Sequence, residues 1–87
     1  MRCSIISPTG RDEFQDIGSI HMSTTAGERE LLTGHIALLA ALHEGPSLRL
    51  RTETHTVCVT LAPGSFIQFA RDEAEVLTTR YTLSDGS

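Results

Sequence analysis

Apolar and polar residues alternate with a period of two along most of the chain. The alternation breaks roughly every 8–12 residues, the spacing that predicts a sandwich or barrel of short strands. Arg2 to Ser7 reads as a first strand, ended by Pro8, Thr9 and Gly10. Gly18 interrupts or bulges a second β region that continues through Ile20 and Met22, and Ser23 to Gly27 reads as a polar loop. Leu48 and Leu50 alternate with Arg49 and Arg51, and Val57, Val59 and Leu61 alternate with Thr56, Cys58 and Thr60. With Glu53 and Thr54 between them, these runs predict a hairpin with one wet face. Ala62, Pro63 and Gly64 turn the chain into Phe66 to Ala70, and Arg71 to Glu73 turn it again into Ala74 to Thr79. Arg80 to Ser87 is polar and reads as a frayed tail, so the domain is expected over residues 1–80 with a tail over 81–87.

One segment resists this pattern. Leu32, Ile36, Leu39 and Leu42 stand at helical spacing, and Gly45 with Pro46 is placed like a helix stop. Propensity alone gives a helix there.

Eighty-seven residues suffice for one compact domain. A chain of that size buries only about 60 to 65% of the surface it exposes when unfolded, so a stabilising partner is expected. The longest apolar run, Ile36 to Leu42, is far short of the roughly 20 residues that a helical membrane span needs. The amino terminus has no long apolar stretch of the secretory kind, which gives a cytosolic expectation.

The net charge is −4, and all seven basic residues are arginine, with no cluster longer than the alternating Arg49 and Arg51. A nucleic-acid binder needs a cationic footprint to displace counterions, and none is visible. Absence of lysine removes the P-loop lysine, the Schiff-base lysine and any Ser/Lys dyad. Cys3 and Cys58 belong to no C-x-x-C unit and read as free thiols. His21, His35, His43 and His55 lack zinc-ligand spacing, so no metal is expected. His43 and His55 read as solvated turn residues, and His21 as a residue on a strand face. Ser65 lacks the G-x-S-x-G elbow and reads as a turn serine. The acidic pairs Asp12, Glu13 and Asp72, Glu73 fall in turns and are read as solvated, not as general acid and base. The residues themselves offer no catalytic constellation and no cofactor cradle.

The run from Gly27, Glu28, Arg29, Glu30, Leu31 and Leu32 through Thr33, Gly34 and His35 to Leu42 resembles a segment of the epsilon subunit of F-type ATP synthases, G-E-[FL]-G-[IV]-L-P-G-H-A-P-L-L-T-A-L. Ser7 to Gly10 resembles that family's first turn, Leu48 to Arg51 its hydrophobic and basic strand, Pro63 to Phe66 its glycine turn, and Ala74 to Thr79 its last strand. Arg29 and Glu30 replace an apolar residue and a glycine of the family, and Thr33 and Ala37 replace two prolines.

The resemblance implies an all-β fold, a single flattened β-sandwich of about ten short strands. It overrides the helical spacing of Ile36 to Leu42, which is then expected as a strand buried on both faces. It implies a non-catalytic rotor subunit that couples gamma to the membrane c ring at the cytoplasmic face of a bacterial inner membrane. Carried over by matched motif, Ser7, His35 and Leu39 would face gamma and Glu28 the c ring. The family's carboxy-terminal helices, which bind ATP in some members, have no counterpart in these residues, so neither nucleotide nor any other small-molecule ligand is expected. Two other readings stay open: a β-sandwich adaptor outside the synthase, and a metal-dependent barrel enzyme using His21, His35, His55 and Cys58.

Overall fold

A computed structural model describes residues 1–86 and consists of ten β-strands in two sheets. The strands are β1 (Arg2–Ser7), β2 (Gly10–Phe14), β3 (Ser19–Thr24), β4 (Gly27–Leu32), β5 (Leu38–Ala41), β6 (Gly45–Arg51), β7 (Thr56–Leu61), β8 (Phe66–Ala70), β9 (Glu73–Leu77) and β10 (Tyr81–Asp85). The first sheet has the order β2-β1-β9-β8-β5 and the second β10-β7-β6-β3-β4. Among the described residues only β1 and β9 run parallel.

Alternation places one apolar set of each sheet inward. Ile5, Val76, Ile67 and Phe69 come from the first sheet and Ile20, Leu48, Leu50 and Val59 from the second, and all are buried. At about 25 cal/mol per Å² of apolar surface removed from water, this interlayer burial is the main favourable contribution to the fold.

The turns follow local chemistry. Arg71 and Asp72 both have positive φ and join β8 to β9 in a two-residue hairpin, the backbone twist that suits a tight antiparallel turn. Pro46 lacks an N–H, and the register of β6 against β7 shifts between Gly45 and Leu48, a bulge that removes the need for that donor. Gly45 enters the bulge at φ 96, a conformation that side chains disfavour.

Four sequence readings are corrected. The second β region is two strands, β2 and β3, separated by Gln15 to Gly18, because Asp16 takes a positive φ and breaks the ladder. The expected loop from Ser23 to Gly27 shrinks to Thr25 and Ala26, since Thr24 accepts a hydrogen bond from Ala26 N and donates to Gly27 O, closing a tight hairpin. Residues 81–85 of the expected tail form β10, paired in register with β7 from Tyr81↔Leu61 to Asp85↔Val57; Ser87 lies outside the described residues. The segment after Ile36 is extended, as the resemblance implies, but it is not buried on both faces. β5 is an edge strand whose Leu38 and Ala40 pack inward while Leu39 is 69% exposed.

Candidate docking faces

The outer face of the first sheet carries an apolar ridge running directly across four strands. Ile6 pairs with Leu77, Leu77 with Phe66, and Phe66 with Ala41. Leu39 lies diagonal to Phe66 on the same face, since it pairs with Gln68. Their neighbours Ile5, Val76, Ile67 and Ala40 point the other way, into the core, so the ridge is a surface feature of apolar residues on the polar side of the pattern. Ile36, in the loop before β5, adds a side chain that is 80% exposed. Farther along the face the surface becomes charged, with Arg2 paired to Glu73 and Arg11 to Glu13.

Leu39 therefore sits on this ridge, and Ser7 flanks it at the β1–β2 turn, where its hydroxyl donates to Gly10 O at 3.2 Å. His35 is exposed in the loop between β4 and β5 and meets Phe69 edge-on, with ring centroids 6.3 Å apart. That loop is tied down by Gly34 N donating to Asp72 Oδ1 at 2.9 Å, so the β8–β9 turn holds the segment that presents His35 and Ile36. Phe66 and Ile36 were missed by the sequence reading. The signal for Phe66 was a strand with aromatic residues of opposite parity, Phe66 and Phe69, which cannot both face one core.

Glu28 belongs to the other sheet. It lies on the outer side of β4, and His21 Nε2 on β3 donates to its Oε1 at 3.1 Å. The hydrogen bonds from His21 and Ser23 hold the carboxyl below its ordinary range, helped by the charges of His21 and His43. Glu28 is thus a partnered acid, and His21 is a residue of this site that the motif comparison did not supply. The four motif-matched residues divide accordingly: Ser7, His35 and Leu39 fall toward the first sheet, and Glu28 stands on the second.

No group of three or more His, Cys, Asp and Glu side chains converges on a common point among the described residues. Ser65 is buried at the foot of β8, where its hydroxyl meets Ala62 O at 2.6 Å and the Thr78 hydroxyl at 2.7 Å, a bond set that pins the turn into β8 to the end of β9.

The profile of the ATP synthase delta/epsilon chain β-sandwich domain matches residues 1–83. The chain belongs to this family. Members are non-catalytic accessory components of the synthase. Among solved structures, the sandwich is similar to a chain in the central stalk/c ring structure of the mitochondrial ATP synthase of Tetrahymena thermophila, with 17% identity and a TM-score of 0.73. The likeness covers 93% of this sandwich and 64% of that chain, and at such identity it speaks for the fold. No curated protein matches the sequence at a significant level.

Proposed function

We propose that this sandwich is an epsilon-type central-stalk component of an F-type ATP synthase, docked on gamma through the ridge of the first sheet. The observation that carries the reading is the exposure of Leu39, Ile36 and Phe66 beside Ile6 and Leu77 on a family member's otherwise polar sheet. A contiguous apolar surface of that kind is a protein-docking feature, and covering about 800 Å² per partner is typical of a stable interface. Ser7 and His35 flank the ridge and would set its polar rim.

On the second sheet, Glu28 would meet polar loops of the c ring as a charge-assisted acceptor, already oriented by His21. In this role the domain makes and breaks no bond. It transmits torque, for which a close-packed sandwich with two adhesive faces is suited. Such a part sits at the membrane periphery, and the cytoplasmic face of a bacterial inner membrane is the location proposed for it.

The test is co-expression of the tagged chain with gamma. Wild type should co-elute with gamma, and Leu39→Asp should lose it while keeping its circular dichroism spectrum and melting transition. Continued co-elution of the variant would remove the ridge from the interface, and capture of unrelated partners in place of gamma would favour an adaptor outside the synthase.

A further inference from the structure

The outer face of the second sheet holds an arginine pair that the stalk reading leaves without a role. Arg49 and Arg51 are alternate residues of β6, both exposed and on the same face, with backbone positions about 7 Å apart. Their cross-strand neighbours are His21 and Ser19 on β3 and Cys58 and Thr56 on β7, so no carboxylate stands directly opposite either guanidinium. Of the other sheet arginines, Arg2 pairs with Glu73 and Arg11 with Glu13, while Arg29 on β4 donates to the Glu28 backbone carbonyl at 3.3 Å. Among the described residues no ion pair within 4.0 Å is made by Arg49 or Arg51. Of the two acids on the outer face of β4, two strands away, Glu28 is already bonded to His21, and Glu30 stands in row with Arg49 beyond His21 without an ion pair to it. The side chains of Arg49, Arg51, Ser19, His21 and Glu30 surround one concavity of about 250 Å³.

We propose that Arg49, Arg51 and Ser19, edged by His21, form a binding site for a phosphate group. Two guanidiniums side by side repel each other in the empty site, and a phosphate oxygen pair matches the planar donor fork of arginine. The hydroxyl of Ser19 adds a neutral donor at the same rim. Glu30, opposite His21 on β4, supplies one negative charge at the far wall. Its charge opposes any anion, and opposes a polyphosphate chain more than a single phosphate group because the chain carries more charge. The shared chemistry is a phosphate group with at least two unesterified oxygens, which soluble phosphate and, with a single charge, the diester of a phospholipid headgroup both carry. The site departs from the expectation that the chain takes no small-molecule ligand, and it is independent of docking through Leu39.

Two titrations of the full chain test the site. Sodium phosphate, against sodium chloride at matched ionic strength, should give saturable amide NMR shifts at Ser19, His21, Arg49 and Arg51. The double variant Arg49→Gln, Arg51→Gln should weaken the apparent affinity about tenfold or more, whereas Arg80→Gln should leave it unchanged. Replacing both residues by lysine should recover only part of the loss, because point charge without the fork is insufficient. In the second arm, sedimentation with phosphatidylcholine vesicles, with and without phosphatidylglycerol, should show arginine-dependent binding if a headgroup is the source. Saturation in the first arm alone assigns soluble phosphate, and binding in the second arm alone assigns lipid. The site is overturned if chloride reproduces the phosphate shifts and vesicles do not bind, or if the double glutamine variant behaves as wild type in both arms.

Discussion

At the scale of single residues, neighbours across a strand pair decide what a side chain can do. Glu28 looks like a lone acid in the sequence, but β-pairing brings His21 to hydrogen-bonding distance, and this lowers the carboxyl pKa. A group whose pKa is depressed on folding contributes stability that is present above its unfolded value and lost as pH falls through the folded one. His21→Ala should therefore raise the Glu28 pKa toward 4.5, its ordinary value, as followed by carboxyl NMR titration. The stability difference between wild type and variant should shrink as the solution is acidified through the lowered value. A Glu28 titration curve that the variant leaves in place would show that the observed bond contributes nothing. Leu39 illustrates the same rule for packing: its chemistry is that of a core residue, and only its parity on an edge strand turns it outward.

At the scale of elements, β10 is the most informative strand, because in the sequence its residues read as a tail. Tyr81, Thr82, Leu83, Ser84 and Asp85 have little apolar content, and the strand is exposed along most of its length. What organises it is a ladder to β7, together with a bond between sheets: the Tyr81 hydroxyl donates to Asp12 Oδ2 on β2 at 2.6 Å. Hydrogen bonding to Asp12, desolvation and the carboxylate's charge push the tyrosine pKa up to about 12. Tyr81→Phe should lower stability by at most about 1 kcal/mol at neutral pH, given how open the pair is to solvent. Because the folded pKa is raised, this contribution is complete below the ordinary value of 10.0 and disappears as pH rises through about 12. Denaturant melts of both proteins at neutral and strongly alkaline pH would check it, and a gap that widens with pH would contradict the assignment. By contrast, the bounds of β1 and β8 were legible residue for residue, since their ends are set by Pro8 and Pro63 turns and by the Arg71–Asp72 hairpin.

At the scale of the molecule, the two sheets form one buried layer, and Cys3 reports on it. The thiol is enclosed by the core, and desolvation pushes its pKa up to about 12, so thiolate is scarce while the sandwich is closed. Cys58, half-buried on the outer side of β7, is open to reagents. Under native conditions a thiol reagent should therefore add one label, at Cys58, and Cys3 should be modified only as denaturant unfolds the domain. Rapid labelling of both cysteines in buffer would mean that the layer opens locally. Burial of the ridge by gamma should leave this pattern unchanged, since both cysteines lie away from Leu39 and Phe66.

The two-residue period and turn-forming residues, which act over a few neighbours, determined a mostly β chain and most strand positions. The spacing of Leu32 to Leu42 by itself pointed to a helix, and only the family motif made the chain all-β. The amino-acid order carried that motif, which joins the chain to its family. Tertiary structure alone decided which strands are edges, which face of each strand is covered and therefore that Leu39 and Phe66 stand outside, that His21 holds Glu28, that Arg49 and Arg51 lack an opposing acid, and that a polar end becomes β10. Each of these depends on pairing between segments distant along the chain, and local propensity contains no information about which segment will lie alongside.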